Sequence, residues 1–216
     1  HQGISKYKVH HHVCATATQM NHHALTLGPT TAQLGGLPFP PPGGPIHRSV
    51  AGGMTAICFG ASEIQVGAAD IVIAGGVEHM GNHPMGQGAD PNPRFLAEKL
   101  VDQSALNMGM TAENLHDMYP DITKEMCDEY AFNCQQKAKQ ALDEGKFEKI
   151  IVPMTVWTDQ GWKLADRDEQ PRPEATLEGM KDLRTPFRVK GRVTPGNASG
   201  LNDGAAGAIL ASERAV

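Results

Sequence analysis

Residues 54–76 read MTAICFGASEIQVGAADIVIAGG. Met54, Ile57, Cys58, Ala61 and Ile64 recur at helical spacing, which predicts a helix over 54–66 with Gly67 as its C-cap. Asp70 to Gly76 is a short, continuous apolar run closed by glycines. Such a run suits a strand covered on both faces. A helix leading directly into a strand of this kind argues for a layered α/β fold.

Toward the N-terminus, Val13–Thr18 reads as a short strand and Ala24–Gly35 as a helix rich in small residues. Leu37–Pro45 holds five prolines and two glycines, which predicts a rigid loop. His10-His11-His12, with Lys6 and Lys8, admits three readings: a tag remnant, a disordered end or a metal-binding tract. The uninformative end is favoured. Toward the C-terminus, Gly81–Pro93 reads as a long surface loop and Thr111–Leu115 as a helix start. Thr123–Gly145 reads as a long amphipathic helix capped by Thr123, with Met126, Tyr130, Cys134, Ala138 and Ala141 on one side. Ile150–Trp157 is expected as a strand and Asp159–Arg172 as a polar loop. From Val193 the α/β pattern returns. The chain is therefore expected to hold an α/β core in residues 1–80 and 188–216, interrupted by an insertion over 81–187.

A chain of 216 residues can bury a sizeable core. At 40% hydrophobic and 20% charged residues it reads as globular rather than disordered. Its formal net charge of −5 argues against wholesale nucleic-acid binding. No apolar run is long enough to span a membrane, and no secretory signal is expected in the polar, His-rich first residues. The four cysteines, Cys14, Cys58, Cys127 and Cys134, show no CxxC spacing and read as thiols in a reducing compartment. Cys127 and Cys134 share a helix face but lie too far apart along its axis for a disulfide. No metal site is expected. The placement expected is cytoplasmic, with an organellar matrix left open.

The run Asn197-Ala198-Ser199-Gly200-Leu201-Asn202-Asp203-Gly204-Ala205-Ala206 packs small residues densely enough for close backbone approach. By composition alone it reads as a strand-turn-strand with an Asx turn. It also resembles the signature that ends the CoA-binding loop region of thiolases. Three further segments resemble that family in order and at similar spacing. They are Ala74-Gly75-Gly76-Val77-Glu78-His79-Met80, Met108-Gly109-Met110-Thr111-Ala112-Glu113-Asn114, and Ala175–Met180 with Leu183–Phe187. The resemblance runs from about Met54 to Glu213 and is patchier before Met54. It implies a thiolase-like layered α/β N-terminal domain, partial, with an inserted, mostly helical CoA-binding loop domain over 81–187.

Thiolase chemistry needs a nucleophilic cysteine at a helix N-terminus, where the dipole favours thiolate. The resemblance sets that cysteine in a segment here reading Arg48-Ser49-Val50-Ala51-Gly52-Gly53-Met54, so Val50 stands in its place. Valine cannot be acylated. Cys58, about two turns on, cannot replace it and reads as a packed helix residue. The family's catalytic histidine, second cysteine and water-holding asparagine come from a C-terminal domain expected to be missing. Its first strand is expected to be missing too, so the chain reads as the middle of a thiolase. No catalytic residue is expected intact, and His83 reads as a loop residue.

The CoA-contacting positions implied are Ser199 on the pantetheine arm, Pro195 and Gly196 lining that channel, Met108 packed beside it, and Arg172 at the nucleotide end. An arginine can stack on adenine or pair with phosphate. Asn107 stands where some relatives carry histidine. The implied activity is cleavage or formation of 3-ketoacyl-CoA by ping-pong acyl transfer, as in fatty-acid metabolism. Coenzyme A and acyl-CoA are substrates, no cofactor is bound, and the full-length form is a homo-oligomer. The competing readings are a non-catalytic thiolase-like CoA-binding or scaffold protein, and a fragment with no ligand. The isolated chain is expected to be inactive and poorly soluble.

Overall fold

A computed structural model describes residues 3–38, 42–88 and 91–216. The chain divides into two compact units: residues 1–90 with 201–216, and residues 91–200.

The first unit is built on a four-stranded sheet. Its strands are β1 (His11–Ala15), β2 (Gly43–Ile46), β3 (Ile71–His79) and, from the far end of the chain, β6 (Asp203–Ala211). Their order is β2-β1-β3-β6. β1 runs parallel to both β2 and β3, and β6 closes the sheet antiparallel to β3 from Ile71↔Ala211 to His79↔Asp203. Side chains alternate across β1. His12 and Cys14 face the helix α1 (Leu27–Leu34), where the His12 Nδ1 lies 2.8 Å from the Gly28 carbonyl oxygen. Val13 and Ala15 face the helix α2 (Gly52–Gln65) and join Ala56, Ala69, Val72 and Ala74 in the core. The sheet thus lies between helices, as a layered α/β fold requires.

The expected helix and strand of residues 54–76 form here as α2 and β3. Gly67 takes φ +75° just past the helix, as a C-cap glycine does. The inward face of α2 differs from the expected one. Gly52, Ala56 and Gly60 are buried, with Ile64 packed beside the core, while Met54, Ile57, Cys58, Phe59 and Val66 are exposed. Small residues seat the helix close to the sheet. A Cβ on Gly60 would lie 2.8 Å from Val72 Cγ1 and 2.9 Å from Leu210 Cδ1.

Two readings of the N-terminal region are corrected. The histidine run is no loose end: His11 and His12 belong to the strand β1. His10 Nδ1 accepts from the Ile71 amide at 3.2 Å, and His11 Nδ1 sits 2.6 Å from the Glu63 carboxylate. The expected loop Leu37–Pro45 ends in β2, because Gly43–Ile46 finds an open edge of β1. Residues 39–41 of that loop lie outside the described residues, as do 89–90 of the loop Gly81–Pro93.

The second unit holds the helices α3 (Pro93–Ala97), α4 (Met108–Met118), α5 (Lys124–Asp143) and α6 (Leu177–Lys181), with a hairpin of β4 (Met154–Thr158) and β5 (Gly161–Ala165). Asn107 caps α4 by accepting from the Gly109 amide at 3.0 Å, and Thr123 caps α5 from the Met126 amide at 3.2 Å. Gly145, at φ +66°, follows the end of α5. The strand β5 replaces part of the polar loop expected over 159–172. Gly161, at φ +92°, lets the chain turn back after Thr158 and pair Trp157 with Trp162. The expected apolar side of α5 is also corrected: Met126, Tyr130 and Cys134 are exposed, and the buried residue is Asp128. Residues 188–200, expected with the core, are held within this unit by α4 and α5.

Candidate functional site

The segment 188–197 has little secondary structure of its own and is fixed by side chains from α4 and α5. Glu113 on α4 is 1% exposed, and its carboxylate accepts from the amides of Arg192 and Val193 at 2.9 Å each. Arg188 reaches back to α4, donating to Asp117 at 2.7 and 2.9 Å and to Asn114 Oδ1 at 3.0 Å. The Arg192 guanidinium donates to the carbonyls of His116, Tyr119 and Ile122, covering the open C-terminal end of α4. Asp128 on α5 is 0% exposed and lies between Lys124 Nζ at 2.6 Å and Asn197 Nδ2 at 2.9 Å. Asn197 also donates to the Arg192 carbonyl at 2.8 Å and accepts from the Thr194 amide at 2.8 Å. A buried carboxylate persists only when its oxygens are met by donors, and both acids satisfy that condition.

Pro195, Gly196 and Ser199 follow from this clamped segment. Gly196 is needed for close approach, since a Cβ there would lie 2.6 Å from Leu183 Cδ1 and 3.2 Å from Met180 Cε. Pro195 and Ser199 are exposed, and the Ser199 hydroxyl donates to the Gly200 carbonyl at 3.2 Å. Asn197 Oδ1 accepts from the preceding Thr194 amide and Asp203 Oδ1 from the distant Gly81 amide, so neither closes the expected Asx turn, and among the described residues only one strand, β6, belongs to the run. Met108 is the first residue of α4 and is exposed. Its neighbour Gly109 lies against the Phe187 ring, with no room for a Cβ. Arg172 is exposed, and its amide donates to Gln135 on α5 at 2.7 Å. All five expected CoA positions therefore lie in the second unit, on elements tied to α4, α5 and α6.

Val50 lies in the first unit, just before α2, and is 97% exposed. Ser49 beside it takes φ +45°, an uncommon conformation for a residue with a side chain. Ala51, the N-cap of α2, supplies no side-chain cap. The positive end of this 14-residue helix, next to position 50, thus has no side-chain cap among the described residues. Cys58 is exposed on the outer face of α2 rather than packed, which corrects its expected role. All four cysteines are free, and burial pushes the thiols of Cys14 and Cys127 up.

His83 is in a loop, as expected, yet is 1% exposed. Its ring lies 4.6 Å from that of His23 and 6.2 Å from that of His79, and its Nε2 has no hydrogen-bond partner among the described residues. Burial, then the neighbouring histidines, holds its pKa below the usual histidine value. Glu78 beneath them accepts from the Ala17 amide at 2.7 Å. Burial alone would raise its pKa, but these backbone and side-chain donors outweigh that and hold it down.

Glu113, Asp128, Arg188 and Arg192 were not among the residues expected at the site. Glu113 and Asn114 do lie inside the segment Met108–Asn114 that carries the resemblance. Two acids on amphipathic helices otherwise read as solvated charges.

A family profile described as the thiolase N-terminal domain matches residues 1–214, including the region before Met54. The chain is 35% identical to the beta-ketoadipyl-CoA thiolase of Acinetobacter baylyi over 93% of its own length and 54% of that protein. It is 42% identical to the 3-ketoacyl-CoA thiolase of Marinobacter nauticus over 79% of its length and 44% of that protein. Among solved structures, human mitochondrial 3-ketoacyl-CoA thiolase superposes with TM-score 0.83 at 35% identity, over 98% of this chain and 56% of that one. The acetyl-CoA acetyltransferase of Bacillus anthracis gives 0.80 at 33% identity, over 99% of this chain and 56% of that one. The chain therefore spans about half the length of the relatives it matches. By this match over nearly its whole length, the chain belongs to the thiolase family, as its N-terminal domain.

Proposed function

We propose that this chain is the CoA-handling part of a thiolase-type acyltransferase that cleaves or forms 3-ketoacyl-CoA by ping-pong acyl transfer. Family membership over residues 1–214 carries the reading. The position of the pantetheine residues on one braced segment supports it. In this reading Ser199 hydrogen-bonds the pantetheine arm and Pro195 and Gly196 line its channel. Met108 packs beside it, and Arg172 meets the nucleotide end through stacking or charge. CoA and acyl-CoA act as substrates, and no bound cofactor is invoked.

In the resemblance the acyl-accepting atom belongs at position 50, at the exposed start of α2. A thiol there would be favoured as thiolate by the helix dipole. Val50 offers no such atom, so the chain as it stands binds acyl-CoA without being acylated at that position. The same residue favours the second reading, a non-catalytic thiolase-like protein that binds CoA or scaffolds a partner. Purified chain assayed with acetoacetyl-CoA and CoA is expected to release no acetyl-CoA. Release above the no-protein control would overturn the inactive assignment.

A further inference from the structure

We infer that Glu113 and Asp128 are positioning residues for the pantetheine-binding segment, holding it at its two ends. The inference rests on the CoA reading of Pro195, Gly196 and Ser199 given above. The segment 191–197 has no ladder to fix it. Its N-terminal end is held by the Glu113 carboxylate, which accepts from Arg192 and Val193. Gly191 is pressed so closely on Glu113 that a side chain there would strike the carboxylate. Its C-terminal end is held by Asp128 through Asn197. Between them, Thr194 is 1% exposed, and its hydroxyl accepts from the Gly196 and Asn197 amides at 3.2 and 3.3 Å.

Lys124 completes the second clamp. Its ammonium meets Asp128 at 2.6 Å and also donates to the carbonyls of Met180 at 3.2 Å and Lys181 at 3.0 Å. Met180 packs on Gly196. One charged pair therefore joins α5, α6 and the loop that carries the exposed Pro195 and Ser199. Nothing in this arrangement leaves a buried carboxylate oxygen for a ligand, so neither acid touches CoA. They act by fixing the backbone that does. A buried charge with a full set of donors gives a rigid geometry at high cost if any donor is lost, which suits a support for a binding loop.

The test is calorimetric titration of the full chain with CoA, well below the unfolding midpoint read from tryptophan fluorescence. Both tryptophans, Trp157 and Trp162, belong to the second unit and report its integrity. Glu113→Gln places an amide NH₂ against backbone donors, and Asp128→Asn sets one against Lys124 or Asn197. Each is expected to weaken CoA binding at least about tenfold while the unit stays folded. Asn197→Asp alone sets two carboxylates together and also weakens binding. The double change Asp128→Asn with Asn197→Asp restores the donor-acceptor pair across the clamp, though not the bond to the Arg192 carbonyl, and is expected to bind more tightly than Asn197→Asp alone. Folded single variants that bind CoA like the unaltered chain would overturn the inference. So would a double variant no better than Asn197→Asp. If Glu113→Gln does not fold, the Asp128 and Asn197 variants decide. Failure of the unaltered chain to bind CoA is a separate result: it overturns the CoA reading, and this inference with it.

Discussion

In the first unit the side chains sealed from solvent include Val13, Ala15, Ala56, Val72 and Ala74; in the second they include Glu113, Asp128 and Thr194. Small apolar residues pack between helix and sheet in the first unit, while in the second Glu113 accepts from backbone amides and Asp128 meets the Lys124 and Asn197 side chains. An apolar core tolerates change in proportion to the volume removed. A polar clamp fails abruptly, because each lost acceptor leaves a buried N–H group unpaired. The proposed CoA positions thus lie in the unit that buries these two carboxylates.

The largest effect should separate these two kinds of core. Glu113→Ala is expected to cost about 3 kcal/mol or more, because it orphans the Arg192 and Val193 amides. Val72→Ala, a cavity of two methyl groups, is expected to cost about 2 kcal/mol. Denaturant titrations followed by tryptophan fluorescence for the second unit and by circular dichroism for both would measure them. A Glu113→Ala cost below that of Val72→Ala would break the comparison.

The first unit also buries polar side chains, Thr16, His23 and His83, and His83 sets a pH response. His83 is held below its ordinary value of 6.5, so the unfolded chain binds a proton that the folded one refuses. Stability contributed by neutral His83 is present above about pH 6.5 and is lost as pH falls toward the folded pKa. The groups facing it are His22, His23, His79 and Glu78. Thermal melts between about pH 7.5 and about pH 5.5 should show less destabilisation in His83→Leu than in the unaltered chain. Equal slopes would remove His83 from the account.

The smallest effect on stability is expected at position 50, since Val50 touches solvent almost everywhere. Val50→Cys should leave the melting temperature nearly unchanged. Its thiol should be alkylated by iodoacetamide at lower pH than exposed Cys134, which lies within a helix, because position 50 sits at the positive end of α2. Alkylation of the two at the same pH would mean that the helix start confers no activation.

The apolar pattern made the α2–β3 pair legible in the sequence, and the cap Thr123 and the C-cap glycine Gly67 behave as their residue types predict, whereas α4 begins at Met108 under an Asn107 cap rather than at the expected Thr111. The face of α2 was not legible. A helix apolar on several sides gives no unique stripe, and Gly52, Ala56 and Gly60 were not recognised as the seat on the sheet. The strands β2 and β5 were missed because Gly-Gly-Pro-Ile and a Lys-bearing five-residue run lack strand composition; neighbouring strands supply their partners. Of the candidate site, the proposed CoA positions rest on motif resemblance alone. The acids beneath them were not legible, since their burial depends on amides some 80 residues away.

Central to the proposed function is that the acyl-acceptor position, occupied by Val50, is silent. Incubation of the purified chain with acetyl-CoA, followed by intact mass and peptide mapping across Arg48–Met54, tests it most directly. The account predicts no covalent acetyl group in that segment. A stoichiometric acetyl adduct there, carried as an ester on the Ser49 hydroxyl, would contradict it.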